Sequence, residues 1–198
     1  IALVREYIMP VFSASTVEQA FTRLANFRLL AAVRKGDLGV EALNDKVEKL
    51  LRQQRVIKRL AGYPEYFYAG KPVMITENNY GLGLFNGDIG LLWMNGDKLM
   101  VAFEGADGIR WLSLARLPAH EMVYAMTIHK TQGSEFTHVA LVLTTSYSAI
   151  LSRELLYTGI TRAKQTISVY SDKAVWQRSV IKKVQRSSGL RERMVSGV

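Results

Sequence analysis

The apolar positions of this chain fall into three successive patterns, and each predicts its own kind of element. In the first, Ser15-Thr16-Val17-Glu18 has capping-box form, in which a hydroxyl closes the first helical turn and a carboxylate three residues on answers it. A short helix is expected from there to about Asn26. FRLLAAV (27–33) follows without alternation, as in a strand covered on both faces of a parallel sheet. Beyond a loop holding Gly36 and Gly39, residues Val40, Leu43, Val47, Leu50 and Leu51 keep helical spacing, and that helix is expected to stop near Gly62 and Pro64. Strand, glycine loop and helix in that order predict an α/β sheet.

The second pattern, over residues 66–117, consists of short β-rich runs punctuated by Asn-Gly at 86–87 and 95–96 and by Asp-Gly at 107–108. Such dipeptides accept positive φ and mark hairpins. Strands of about five residues at this spacing predict a small barrel of SH3-like size. From Met122 the first pattern returns. MVYAMTI, THVALVL and TISVYS are buried-strand candidates, with helical segments at 152–163 and 172–186. The economical fold is one α/β domain, residues 25–65 and 122–198, interrupted by an inserted barrel at 66–121 and preceded by a connecting segment at 1–24.

Size and charge narrow the class. At 198 residues the chain can hold one full core and a small inserted module. Its apolar runs are too short to span a bilayer, so no membrane partner is expected. IALVREYIMP lacks a signal-peptide pattern and an initiator Met, and reads as the start of a piece of a longer protein. The absence of cysteine excludes disulfide scaffolds and thiolate metal sites. His120, His129 and His138 have no cysteine near them, and no metal site is expected. The net charge of +9 is uneven: residues 1–60 carry 11 Lys/Arg against 6 Asp/Glu, residues 61–121 carry 4 against 7, and residues 122–198 carry 11 against 4. Basic flanks draw phosphates without reading base sequence, although solubility alone would also account for them.

The densest polar chemistry lies in AMTIHKTQGSEF (125–136), where an apolar strand runs straight into His129, Lys130, Gln132 and Glu135 around Gly133. Ligands of parallel sheets bind at the carboxyl ends of strands, where helix N-termini offer free N–H groups to phosphate oxygens. RELLYTGITRAK (153–164) ends a helix on Thr161, Arg162 and Lys164, and Arg162 is expected to project from that same edge. In AAVRKGDLGVEALN (31–44), Arg34 leaves a buried strand.

Together these stretches resemble the C-terminal motor half of superfamily-1 DNA helicases, in particular the RecD-like branch. TIHKTQGSEF is similar to that family's motif V, LYTGITRAK to motif VI, and VRKGDLGVEALN to the motif IV region. GKPVMITENNYGLGLFNGDIG (70–90) and the terminal SSGLRERM are also RecD-like, so the likeness covers roughly residues 25–193. It implies an α/β, RecA-like (P-loop NTPase-type) C-terminal helicase domain with an inserted SH3-like barrel. The implied parent moves 5′ to 3′ on single-stranded DNA with ATP and Mg2+, beside RecB and RecC subunits in cytoplasmic double-strand-break repair. By the same resemblance Arg162 is an arginine finger, and Arg34, Gly133 and Glu135 bind nucleotide, Glu135 through the ribose. Thr127, His129 and Lys130 would touch the strand's sugar-phosphate. The chain has no GxxxxGK[ST] loop and no Walker B-like acidic pair, so the resemblance implies half of an ATP site, inactive alone, with Mg2+ held mainly by a first motor domain.

Plainer roles stay open for these residues. Arg34 could pair with a helix carboxylate, Glu135 could cap a turn, and His129 could be structural. Gly133 could supply positive φ or mere room. Lys130 and Gln132 could face DNA or a domain interface, and Trp93, Trp111 and Tyr80 read as core more than as stacking platforms. A conjugative relaxase-helicase or a stand-alone RecD-like helicase would use similar motifs. A non-enzymatic nucleic-acid-binding module, with the barrel as its binding face, is disfavoured by the acidic balance of that segment.

Overall fold

The computed structural model describes residues 1–131 and 133–184. A π-helical turn at Val4–Ile8 and helix α1 (Met9–Phe12) lead to α2 (Val17–Ala25). Helix α2 is capped by a hydroxyl as expected, but by Thr16, one residue after the Ser15 of the predicted box. The Thr16 hydroxyl accepts from the Gln19 N–H at 3.3 Å, while the Gln19 side chain, in place of Glu18, accepts the Ser15 N–H at 3.2 Å. Strand β1 (Phe27–Ala31) is buried throughout. Helix α3 (Val40–Gln53) then stops well before Gly62, contrary to expectation. Arg55 takes the left-handed conformation, φ +56°, and the Val56 N–H returns to the Leu51 carbonyl at 2.9 Å. This is a Schellman end built on an arginine, and no glycine announces it.

The insert contributes β2 (Pro72–Ile75), β3 (Ile89–Asn95), β4 (Lys98–Gly105), β5 (Gly108–Ser113) and β6 (His120–Met122), all antiparallel in the order β5-β4-β3-β2-β6. Asn95-Gly96 and Asp107-Gly108 stand at tight hairpins. Asn86-Gly87 makes a local turn instead, since β2 and β3 are joined by a longer loop. Alternate residues of this sheet serve two cores. Val73, Ile75, Leu92, Val101 and Phe103 pack together on one side; Leu91 and Ala102 meet Val17, Phe21 and Leu24 of α2 on the other, with Trp93 and Trp111 against them. Tyr80, by contrast, is exposed.

MVYAMTI does not form one strand. Met122 ends β6 in the antiparallel sheet, and Ala125 begins β7 (Ala125–Thr127) in the parallel one. Asn44 holds the crossover: its amide donates to the Met122 and Ala125 carbonyls and accepts the Ala125 N–H, at 2.8–3.2 Å. Buried Arg28 donates to the Val123 carbonyl at 2.9 Å and lies 4.9 Å from the centre of the Phe136 ring. Burial pushes the Arg28 pKa down to about 10.

Beyond a 3-10 turn at Ile128–Thr131 come β8 (Phe136–Val142), α4 (Arg153–Ile160), β9 (Ala163–Tyr170) and α5 (Lys173–Ile181). Helix α5 ends short of the expected 186, and the SSGLRERM motif lies outside the described residues. The second sheet is fully parallel, in the order β7-β1-β8-β9. One face packs on α3 and the N-terminal turns through Val4, Ile8, Val47, Leu51 and Ala140. The other packs on α4 and α5 through Leu30, Val139, Leu141, Leu155 and Val175. No helix of the described residues is long and apolar enough to cross a membrane.

Candidate nucleotide edge and strand face

The chain from Thr127 to Glu135 covers the height of the parallel sheet. Thr127 closes β7 level with Ala31 and Val142, at the carboxyl edge. Glu135 precedes the first residue of β8, at the amino edge. These edges are separated by the length of a seven-residue strand, about 20 Å. Gly133 sits in this return path with φ +85° and open space where a Cβ would stand, so the position demands conformation and not room.

Arg162 lies at the amino edge, not the carboxyl edge expected for it. Helix α4 must run back from the end of β8 to the start of a parallel β9, which leaves its last turn beside the first residue of β8. The Phe136 N–H donates to the Arg162 carbonyl at 2.8 Å. Its half-buried guanidinium is held by neutral oxygens: Nε donates to the Thr158 carbonyl at 3.2 Å, Nη1 to the Ser134 carbonyl at 3.2 Å and the Thr131 carbonyl at 3.5 Å, and Nη2 to the Thr161 hydroxyl at 3.3 Å. Among the described residues it forms no ion pair. A fork so held is oriented and keeps its charge for an anion.

Glu135 pairs with Lys164 at 3.6 Å beside Arg162, and both line a polar recess of about 370 Å³ with Asn26, Thr137 and Glu104. This edge thus gathers Arg162, Gly133 and Glu135. Arg34 is not among them. Its Nε meets Glu41 of α3 at 3.0 Å and its Nη2 meets Glu121 of β6 at 3.0 Å. Those carboxylates, Glu41 foremost, hold its pKa above the ordinary guanidinium range. Lys130 reaches the other oxygen of Glu121 at 2.8 Å. Arg34 therefore stands with Lys130, on whose turn His129 is exposed, next to the half-buried Thr127 at the end of β7. Gln132 lies outside the described residues.

Sequence reasoning passed over Asn44, Arg28 and Glu121. Asn44 and Arg28 interrupt apolar spacing, a pattern that marks a buried polar clamp, whereas nothing local distinguishes Glu121. Among the described residues no group of three or more His, Asp or Glu could hold a metal ion.

A family model described as the UvrD-like helicase C-terminal domain matches residues 122–170. That match takes in a quarter of the chain, and the relatives that follow set the class of the whole as superfamily-1 DNA helicases. The chain is 43% identical over 176 residues to the RecBCD enzyme subunit RecD of Haemophilus influenzae, covering 89% of this chain and 26% of that protein. It is 37% identical over 179 residues to the RecD subunit of Mycobacterium tuberculosis, covering 89% and 30%. It is also 32% identical over 169 residues to the ATP-dependent RecD2 DNA helicase of Deinococcus radiodurans, covering 84% and 23%. The chain is a RecD homologue, and it spans under a third of the length of these relatives. In fold it is similar to Pif1 helicase from Bacteroides, solved with ADP-AlF3 and ssDNA, at a TM-score of 0.50 and 14% identity, covering 99% of this chain and 53% of that one.

Proposed function

We propose that this chain is the C-terminal motor portion of an ATP-dependent 5′–3′ DNA helicase of RecD type, supplying half of an ATP site and part of a single-strand track. In this reading residues 25–65 and 122–198 are the second motor domain, residues 66–121 an SH3-like barrel inserted in it, and residues 1–24 the approach to it. The observation that carries the reading is Arg162, a guanidinium oriented by three backbone carbonyls and one hydroxyl and unneutralised by any described carboxylate.

ATP would bind between this amino edge and a first motor domain. Arg162 would stabilise charge developing on the transferring phosphoryl oxygens, in a geometry fixed before reaction. Glu135 would bind the ribose, and Gly133 would shape the backbone beside it. Mg2+ would neutralise phosphate oxygens, held mainly by the first motor domain. Thr127, His129 and Lys130 would meet the strand's sugar-phosphate, so the residues 127–135 would link strand and nucleotide through one backbone. Identity to RecD subunits runs from 31% to 43% and stands at 32% for RecD2, and the 43% to the Haemophilus influenzae subunit is what supports a cytoplasmic subunit working with RecB and RecC in double-strand-break repair over a stand-alone helicase.

The test is Arg162→Ala in the full-length helicase, assayed for steady-state ATP hydrolysis with saturating single-stranded DNA beside thermal melting. Turnover is expected to fall on the order of 10³–10⁵-fold, with melting unchanged. Near-normal turnover would reject the assignment, and a sharply lowered melting temperature would make Arg162 structural. This chain alone is expected to hydrolyse no ATP.

A further inference from the structure

Glu121 divides its carboxylate between two cations from different elements. Oε1 receives the Lys130 ammonium at 2.8 Å, from the turn after β7, and Oε2 receives the Arg34 guanidinium at 3.0 Å, from the loop after β1. A phosphodiester presents the same pattern, two terminal oxygens sharing one negative charge, and charge-assisted donors meet it at the same distances. We propose that Arg34 and Lys130 form one phosphate site, that its ligand is the backbone of a single nucleic-acid strand, and that Glu121 is the resident carboxylate which this phosphate displaces. The inference rests on the strand-tracking reading above, and it moves Arg34 from the nucleotide to the strand.

Three observations carry it. Two cations that share one carboxylate point to one place, so Arg34 cannot serve a nucleotide at the amino edge while Lys130 serves a strand elsewhere without this network coming apart. The cations are open to solvent, with side-chain exposures of 57% for Arg34 and 33% for Lys130, so a chain-like ligand can reach them from outside. The neighbours fit a polyanion: Lys35 and His129 are both exposed beside them.

Glu121 then has a task that a simple brace lacks. With Glu41 it neutralises the two cations, so each arriving phosphate competes with a tethered carboxylate. Grip is weakened and release is quickened, which a protein that must let go of each phosphate in turn requires. Because Glu121 belongs to β6, strand occupancy is felt at the edge of the antiparallel sheet.

The experiment uses the full-length helicase and a fluorescent oligothymidylate, titrated across a salt series, with the ATP KM measured in parallel. Glu121→Gln is expected to tighten strand binding several-fold, chiefly through slower dissociation. Arg34→Ala and Lys130→Ala should each weaken it, and the double replacement should remove about 0.7 from the log–log salt slope, the value for one phosphate on a single strand. ATP KM should stay unchanged in all of them. Should Glu121→Gln lose its fold, Glu121→Asp, which withdraws the charge by one methylene, should still tighten binding. A raised ATP KM in Arg34→Ala with unchanged strand affinity would return Arg34 to the nucleotide and overturn the proposal. Unchanged or weaker strand binding in a folded Glu121→Gln would also overturn it. If the unsubstituted protein bound no single strand, the functional reading would fail as well; normal binding indifferent to Arg34 would sink this inference alone.

Discussion

Arg162 and Arg34 both stand on connections of the same parallel sheet, and their surroundings could hardly differ more. Carbonyl and hydroxyl oxygens hold Arg162, while two carboxylates hold Arg34. Neutral acceptors fix a guanidinium's direction and leave its charge available, whereas carboxylates fix the direction and consume the charge. A ligand at Arg162 has only to arrive; a ligand at Arg34 has to compete. The motif likeness sends both to the nucleotide, Arg162 as a finger and Arg34 as a binding residue, and their partners separate them.

The largest test of that contrast exchanges each arginine for lysine in the full-length helicase. Lysine keeps the charge but cannot span carbonyls and phosphate as a planar fork. Arg162→Lys is expected to lose most of the ~10³–10⁵-fold contribution of an arginine finger, while Arg34→Lys retains most ATP turnover. Equal losses in steady-state assays would erase the distinction.

A second test loosens the crossover that carries Glu121. Asn44→Ala leaves buried donors and acceptors at Met122 and Ala125 without partners, at a cost of about 1–3 kcal/mol in denaturant unfolding. Loss of less than half that would mean water replaces the clamp.

The third uses pH. Tyr124 lies in the same crossover, its hydroxyl 3.2 Å from that of Tyr68, and burial raises both phenols above their ordinary pKa of 10. The unfolded chain gives up these protons above pH 10 while the folded chain keeps them. The stability they contribute is therefore complete below pH 10 and falls as pH rises beyond it, by up to about 1.4 kcal/mol per pH unit for each tyrosine. Tyr124→Phe should flatten that alkaline decline, and an unchanged slope in urea unfolding between pH 10 and 11 would refute it.

The last test belongs to the Arg162 side. Gly133→Ala forces a Cβ into left-handed backbone and should cost about 1–2 kcal/mol. Some ATP turnover should go with it, because the Ser134 carbonyl next door orients Arg162. Full turnover at reduced stability would show that this contact is dispensable.

What the sequence made legible was local. The Ser15–Glu18 box announced its helix to within one residue, and two Asx-Gly pairs announced their hairpins, because hydroxyl caps and positive-φ turns act within four residues. The buried β1 and β8 were readable from unbroken apolar runs. The end of α3 was not, since Arg55 occupies a position where glycine is the usual signal. The break between Met122 and Ala125 was invisible for another reason: both halves are apolar, and only pairing partners far along the chain decide which sheet each joins. Among the candidate residues, Arg162 stood out through its motif, but its edge did not, because that follows from the direction in which α4 returns. Glu121 was hidden entirely; its partners lie 87 and 9 residues away.

The pairing of β2 with β6 has a consequence for how such a protein can change over generations. The insert leaves the motor sheet and comes back through adjacent strands, and the Val123 N–H bonds to the Pro72 carbonyl at 3.2 Å where the two paths meet. A module whose entry and exit strands pair side by side can lengthen or shrink at its far turns while β7 keeps its register with Leu29 and Met74 stays packed in the parallel-sheet core. The N-terminal helix resists that freedom further. Helix α2 covers the insert with Val17, Phe21 and Leu24, so a deletion of the module would strip that helix of its partner. Residues 17–24 and the insert are therefore bound to diverge together, as a lineage within the lineage of the motor.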